Sequence, residues 1–172
     1  MANIDVLVPK ILKWEGGFVN NPNDKGGPTN EGITLSTWKQ VGYDKTGDGE
    51  INVDDIKILN EADFKFVLRI YWNRWKADSI QNQSIADILV DWVWGSGKWG
   101  VVIPQELLGV ETDGVVGRDT ITAVNSANQE QLFNKIFQAR VSFLQAIVKH
   151  HPSQSIFLKG WLNRLNDFKF NP

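Results

Sequence analysis

The sequence has no cysteine, only two histidines and no long apolar run. Without cysteine the chain can form no disulfide bond, no thiolate nucleophile and no cysteine-ligated zinc site. His150 and His151 are adjacent at the end of a predicted helix, where a favourable interaction with the helix dipole accounts for them. A Ser-His-Asp or Cys-His mechanism and an HExxH metal site therefore have little support. The phosphate-binding pattern GxxxxGKS/T is also missing.

Charge and hydropathy exclude further classes of protein. The net charge of −2 in 172 residues gives no sign of a surface for polyanions, so we expect no nucleic-acid partner. No segment reaches membrane-spanning length, so we expect no stable insertion into a membrane. The first residues, MANIDVLVPKILKWEGG, lack a basic run and a long apolar stretch. We therefore expect synthesis in the cytoplasm without a conventional signal peptide.

Apolar residues recur at helical spacing in most of the chain, which predicts a mostly α fold. Pro9 predicts that the first helix either starts near Val6 or bends. Asn60 followed by Asp63 is typical of a helix start, and the helix around residues 85–93 is apolar over much of its circumference, which predicts burial. Strand-like alternation is confined to residues 18–34, where we expect a short β-hairpin or loop. The length suits a single domain.

The stretch from Glu15 to Thr34 is too polar and too rich in glycine to form core, which favours a role at a surface. It contains two acids, Glu15 and Asp24. A carboxylic acid in a partly apolar pocket can protonate a leaving oxygen, while a second acid orients water or stabilises positive charge. Trp14 and Phe18 flank Glu15, which suits the first role, and the polar turn around Asp24 suits the second. The alternative for Glu15 is a solvated helix end.

A second constellation, DKTGDGEINVDD, matches the ligand order of an EF-hand calcium loop. The predicted ligands are Asp44, Thr46, Asp48, the carbonyl of Glu50, a water-mediated contact of Asn52, and Asp55. Residues 43–59 also resemble one calcium repeat of a dockerin; a dockerin needs two repeats, so docking to a cohesin is not expected. We predict a structural Ca²⁺ in residues 44–55, and the alternative is an acidic surface loop without metal.

Eight tryptophans are many for this length. They are explained either by a core rich in tryptophan or by a groove that stacks on sugar rings or other flat ligands.

The string EGGFVNNPNDKGGPTNEGIT resembles the N-terminal signature of the glycoside hydrolase 108 family. Its members are lysozyme-like N-acetylmuramidases, also described as secretion activators and phage-type endolysins. The strings DWVWGSGKWG, PQELLGVETDGVVGRDTITAVN and KGWLNRL resemble the family's C-terminal half, a predicted peptidoglycan-binding region. The resemblance implies a lysozyme-like catalytic part in residues 1–95, with the insertion at 43–59, and a helical part in residues 96–172 packed into the same globule.

The resemblance also implies roles for individual residues. The family's catalytic acid falls on Glu15, and its pattern continues at Asp24, Thr29 and Asn30. We expect Asp24 and Thr29 to take part in catalysis, and Asn30 and Thr34 to contact the substrate. A looser similarity to phage-type lysozymes, which place a Thr after the Glu and Asp of a glycine-rich hairpin, leaves open whether Thr29 or Thr34 supports the site. The string WVWG departs from the Asn that the family has before Ser-Gly. This makes Asp91 and Trp94 candidates for the substrate groove, with burial between helices as the alternative.

The function implied by the resemblance is hydrolysis of the β-1,4 glycosidic bond of peptidoglycan, without a cofactor for catalysis. The expected place of action is the bacterial cell wall or periplasm, reached by non-conventional export or by lysis. Two alternatives belong to other classes. One is a peptidoglycan-binding module that assists secretion without cleaving the glycan, and the other is a calcium-dependent adaptor.

Overall fold

The computed structural model describes residues 1–22 and 27–172. Its α-helices are α1 (Ile4–Leu12), α2 (Leu35–Val41), α3 (Val53–Lys57), α4 (Glu61–Arg74), α5 (Gln83–Ser96), α6 (Trp99–Leu108), α7 (Arg118–Ser126), α8 (Gln129–His150) and α9 (Ser155–Asn166). Short 3₁₀ helices cover Ala77–Ser79 and Pro152–Gln154. Strands β1 (Thr29–Asn30) and β2 (Ile33–Thr34) form an antiparallel pair. The prediction of a mostly α, lysozyme-like fold with a short hairpin after the first helix is confirmed.

The chain divides into two compact units. We call residues 5–70 the hairpin unit, and residues 1–4 with 71–172 the helical unit. The insertion at residues 43–59 lies entirely within the hairpin unit. The predicted boundary between residues 95 and 96 separates catalytic from binding functions, and it stays a prediction.

The core of the hairpin unit includes a side chain from the insertion. Ile56 of α3 is fully buried, as is Trp38 of α2. The indole Nε1 of Trp38 donates to the carbonyl of Tyr43 at 3.0 Å, at the point where the chain enters the insertion. A Cβ at Gly42 would lie 2.2 Å from the Trp38 ring, so glycine is required for this approach. The insertion is thus built into the core of its unit.

The core of the helical unit is organised around α5. Every residue from Ser84 to Val93 is buried, which confirms the burial that the apolar pattern predicts. Helix α6 packs closely on α5, because Gly100 has no side chain: a Cβ there would lie 2.5 Å from the backbone nitrogen of Val93. Trp75 donates its indole N–H to the carbonyl of Gly100 at 3.1 Å.

Two helix starts can be compared with their predictions. Helix α1 begins at Ile4 rather than near Val6, so Pro9 lies within the helix. Helix α4 begins as predicted: the Asn60 side chain accepts from the Asp63 N–H at 3.1 Å, and the Asp63 carboxylate accepts from the Asn60 N–H at 2.9 Å. In the described part of the chain, the helices are too short or too polar to cross a membrane.

The sequence left two explanations for the eight tryptophans, a core rich in tryptophan and a groove that stacks on flat ligands, and the burial of these residues bears on both. Trp38, Trp72, Trp75 and Trp92 are fully buried and belong to the core. The remaining four are partly or largely exposed and are available for contact with a ligand; they are Trp14, Trp94, Trp99 and Trp161.

Candidate active site

Glu15 follows α1 after a two-residue turn formed by Lys13 and Trp14, and its side chain is half-buried. Its backbone N–H donates to the carbonyl of Ile11 at 3.1 Å, which holds the residue at the end of the helix. The carboxylate lies against Gly32 in the hairpin turn, where an added Cβ would be only 2.6 Å from Oε2. Gly32 also has a φ of +78°, a conformation that favours glycine. Only glycine at this position leaves room for the Glu15 carboxylate as it stands.

The hairpin is fastened to the segment that follows Glu15. The N–H of Glu31 donates to the carbonyl of Gly16 at 3.0 Å. Thr29 exchanges two backbone hydrogen bonds with Val19, each 2.8 Å long. These three bonds hold the turn beside Glu15, so that the position of the carboxylate depends on the hairpin as well as on α1.

The other residues predicted around Glu15 have distinct surroundings. Asp24 lies outside the described residues. Thr29 is half-buried in β1, opposite Thr34 in β2. Asn30 is buried, and its side-chain amide donates to the carbonyl of Ile56 at 2.9 Å. The hydroxyl of Thr34 accepts from the N–H of Thr37 at 3.1 Å and caps α2. Capping of α2 thus occupies the Thr34 hydroxyl, and the choice between Thr29 and Thr34 for the supporting position stays a prediction.

Glu31 is a carboxyl group of the hairpin that the sequence reasoning missed. Glu31 and Gly32 both have positive φ, of 53° and 78°, as a two-residue type I′ hairpin turn requires. The Oε2 atom of Glu31 is buried and has no hydrogen-bond partner among the described residues. Burial raises the pKa of Glu31, and the charges of Asp63 and Glu61 raise it further, while Lys45 opposes the shift. In the sequence, the hairpin turn is indicated by the Glu31-Gly32 pair between two short runs of alternating polar and apolar residues.

Because the pKa of Glu31 is raised, we expect that replacing its carboxyl group by a neutral one stabilises the protein, and that this stabilisation depends on pH. A carboxyl group whose pKa is raised in the folded state favours folding at low pH and loses that contribution as the pH rises through the folded pKa. We therefore expect Glu31→Gln to raise Tm by about 1–2 °C at pH 7, and the gain to vanish below about pH 4. Thermal unfolding at both pH values measures this. Glu111→Gln, at an exposed position of the helical unit, serves as the control; an equal gain at both pH values would contradict the explanation.

Asp91 and Trp94 both lie on α5 in the helical unit. Asp91 is only 1% exposed, and its oxygens accept from Arg140 Nη2 at 3.0 Å and from Arg164 Nη2 at 2.8 Å. Trp94 is half-buried and meets the ring of Tyr71 edge-on, with 4.9 Å between ring centroids. The structure thus places Asp91 in a buried ion-pair cluster, and Trp94 keeps part of its ring accessible.

The carboxylate of Asp44 closes the predicted calcium loop on itself. Its Oδ1 accepts from the N–H groups of Gly47 at 2.7 Å and Asp48 at 3.3 Å, and from the hydroxyl of Thr46 at 3.1 Å. Its Oδ2 accepts from the N–H of Gly49 at 2.7 Å. The Gly49 bond is the largest cause of the lowered pKa of Asp44.

Asp55, the last predicted ligand, is fully buried. Its Oδ1 accepts from the N–H groups of Lys45 at 2.7 Å and Thr46 at 2.9 Å, and its Oδ2 accepts from the N–H of Asn52 at 2.8 Å. Burial acts to raise the pKa of Asp55, but these N–H donors outweigh it and the pKa is lowered. Asp55 therefore joins the two ends of the loop through backbone hydrogen bonds.

The carboxylates of this loop do not converge on a cation. Asp48 accepts from the N–H of Glu50 at 2.9 Å and from the side-chain amide of Asn52 at 3.0 Å. Within residues 1–22 and 27–172, no three Asp, Glu or His side chains come close enough together to hold a metal ion. As arranged, the donor set does not fit Ca²⁺, which needs six to eight oxygen ligands around one point. The calcium site stays a prediction.

The three N–H bonds to Asp55 predict a large loss of stability in Asp55→Ala. We expect the variant to lose about 2–4 kcal/mol of unfolding free energy at pH 7, because three backbone donors lose their acceptor. Since the pKa of Asp55 is lowered in the folded state, this difference shrinks as the pH falls below the usual value of 3.8 and through the folded pKa. Urea unfolding with a calcium chelator present measures it, with the exposed Asp54→Ala as the matched control.

The same experiment repeated with added calcium tests the metal prediction. Bound calcium would raise the wild-type free energy of unfolding in a concentration-dependent manner.

For the Asp55→Ala prediction, equal stability of Asp55→Ala and Asp54→Ala in chelator would contradict the role of the backbone hydrogen bonds.

Comparison with known proteins places the chain in a family. Residues 8–97 match the family model described as Glycosyl hydrolase 108, and residues 99–166 match the one described as Predicted Peptidoglycan domain. No curated protein matches the chain. A solved structure, entitled "Structure of Brucella abortus SagA", is similar with a TM-score of 0.71 and 26% identity, over 97% of this chain and 95% of that chain. Since the first match spans just over half of the sequence and includes Glu15 and its hairpin, the chain belongs to the glycosyl hydrolase 108 family of peptidoglycan-related glycosidases.

Proposed function

We propose that the protein is an N-acetylmuramidase that cleaves the β-1,4 glycosidic bond of peptidoglycan, with Glu15 as the general acid. The observation that carries this proposal is the position of the Glu15 carboxylate, which lies against Gly32 of the hairpin. Backbone hydrogen bonds join this hairpin to the segment after Glu15. A general acid must be held within hydrogen-bonding reach of the oxygen that it protonates. Anchoring by both α1 and the hairpin supports this role, because it restricts where the carboxylate can lie.

Two partly exposed aromatic residues near Glu15 in the chain support a sugar substrate. Trp14 and Phe18 are 37% and 38% exposed, so each presents part of its ring to the solvent. The ammonium groups of Lys13 and Lys57 lie 5.3 Å and 5.8 Å from the centroids of these rings, respectively. Aromatic faces next to an acid can stack on pyranose rings while the acid reaches the glycosidic oxygen.

In the proposed reaction Glu15 donates its proton to the glycosidic oxygen while the bond from that oxygen to the anomeric carbon breaks. A water molecule adds to the anomeric carbon and gives up a proton to a carboxylate, either Asp24 or the Glu15 carboxylate left by the first step. Asp24 takes the second carboxylate role, by orienting this water or by stabilising the positive charge that develops on the sugar. Thr29 supports the site from β1. We assign Asn30 and Thr34 to holding the hairpin, because the Asn30 amide bonds to Ile56 and the Thr34 hydroxyl caps α2.

Digestion of purified peptidoglycan tests the proposal. A muramidase releases fragments whose new reducing end is N-acetylmuramic acid, which borohydride reduction and mass spectrometry identify. Fragments ending in reducing N-acetylglucosamine would show that the other glycosidic bond is cleaved and would contradict the proposal.

The match of residues 99–166 to a peptidoglycan domain favours one second candidate, a module that binds the wall without cleaving it. Cosedimentation with cell walls, combined with an absence of new reducing ends, would support the module over the enzyme.

A further inference from the structure

The helical unit contains a small, partly open cavity lined by α5, α8 and α9. Its volume is about 230 Å³, and its lining includes Asp91 and Gly95 from α5, Arg140 from α8, and Trp161 and Arg164 from α9. Leu144 and Ile147 add apolar wall from α8. The lining therefore combines charged groups with aromatic and aliphatic surface.

Two guanidinium groups and one carboxylate set the charge of this cavity. Arg140 and Arg164 each donate to a different oxygen of Asp91. Arg140 is 8% exposed, donates to the carbonyl of Ile88 at 3.3 Å and lies over the ring of Trp92. Burial lowers the pKa of Arg140, and the neighbouring charge of Arg164 lowers it further, whereas Asp91 opposes both effects. An added anion would reduce the repulsion between the two arginines.

We propose that this cavity binds the free carboxylate at the end of a short peptide. A carboxylate matches the planar fork of N–H donors that arginine presents, and it can bond to both guanidinium groups at once. The apolar wall formed by Trp161, Leu144 and Ile147 would receive a small side chain next to that carboxylate. At 230 Å³ the cavity is smaller than the 300–1,000 Å³ typical of pockets for larger ligands, so it suits a terminal residue rather than a length of glycan.

Two sources could supply such a carboxylate: the stem peptides of peptidoglycan and the C-terminus of an ordinary protein. The first source rests on the proposed function. It is favoured because Arg140, Trp161 and Arg164 all lie within residues 99–166, which match the peptidoglycan domain.

Matched acid and amide ligands test the carboxylate directly. The probes are N-acetyl-dialanine in its D,D and L,L forms, each as the free acid and as the C-terminal amide. Binding to the wild-type protein is followed by calorimetry and by the NMR signal of the Trp161 indole N–H. We expect the acid to bind at least about tenfold more tightly than the amide. Preference for the D,D form assigns the ligand to stem peptides, and preference for the L,L form assigns it to protein C-termini.

Two variants of the cavity make the test specific. Arg164→Gln removes one guanidinium while Asp91 keeps its bond to Arg140, so the fold has a remaining ion pair. Gly95→Leu keeps both arginines and adds a bulky side chain to the lining of the cavity; among the described residues nothing lies within 4 Å of a Cβ added there. Each variant is expected to weaken acid binding at least about tenfold. Lys159→Gln, an exposed position on the same helix, is the control for charge and should bind as the wild type does.

The outcomes separate this inference from the proposed function. Equal binding of acid and amide, or unchanged binding by Arg164→Gln and Gly95→Leu, would overturn the carboxylate site even if the wild-type protein releases reducing ends from peptidoglycan. Selective binding of the acid by a protein that releases no reducing ends would leave the carboxylate site standing and overturn only the muramidase assignment.

Discussion

Glu15→Gln is expected to reduce the release of reducing ends from peptidoglycan by about 10²–10⁴-fold, the usual contribution of a positioned general acid. Glutamine keeps the size and hydrogen-bonding capacity of the side chain next to Gly32, but it has no proton to give to the leaving oxygen. Initial rates on purified cell walls measure the effect. Cosedimentation with the same walls should be unchanged, because the substitution removes the proton donor and leaves the binding surface in place.

The control for this variant is Glu61→Gln, which makes the same chemical change at an exposed position of the hairpin unit. It should digest cell walls at the wild-type rate. A Glu15→Gln variant with normal folding and at least half of the wild-type rate would remove Glu15 from the proposed mechanism.

Gly32→Ala complements this test by displacing the Glu15 carboxylate while keeping its charge. A methyl group at residue 32 would lie 2.6 Å from Oε2, and the φ of +78° adds strain for any residue with a side chain. We expect a lower rate with Glu15 still present, because the acid no longer holds its position at the hairpin. A normal rate would show that the hairpin does not position the acid.

Asp91→Ala is expected to lower the free energy of unfolding by about 3–5 kcal/mol, the range observed when one partner of a buried ion pair is removed. The carboxylate is 1% exposed and bonds to two arginines from different helices. Without it, Arg140 and Arg164 would face each other with no neutralising charge in the cavity. Urea denaturation followed by circular dichroism measures the loss.

The comparison for Asp91→Ala is Asp119→Ala, which removes an exposed carboxylate from α7 of the same unit. Surface substitutions of this kind usually change stability by no more than about 0.5 kcal/mol. Equal stability of the two variants would contradict the role of Asp91 in holding the arginines. A large difference would assign Asp91 to the architecture of the cavity, where the sequence pattern had suggested contact with substrate.

Several features were determined by the sequence alone, because they depend on neighbours within a few residues. The 3.6-residue apolar period predicted the helices, including the nearly complete burial of α5. Asn60 and Asp63 predicted the start of α4, because a capping box needs only two residues that are three positions apart. The hypothesis that Glu15 is the acid also came from the sequence, because twenty consecutive residues resemble the family's signature; its catalytic role stays a prediction.

Other features were decided only by the tertiary structure, because they join groups far apart in the chain. Asn30, expected to touch substrate, bonds to a carbonyl 26 residues away. Asp91 bonds to arginines 49 and 73 residues further along. Neither the apolar periodicity nor a capping pattern predicts hydrogen bonds between residues so far apart in the chain. They depend on how whole helices pack, because a buried polar group bonds to the partner that packing places next to it. Tertiary packing also places Gly32 next to the carboxylate of Glu15. The sequence identified Glu15 as a candidate, but it did not predict where its carboxylate lies.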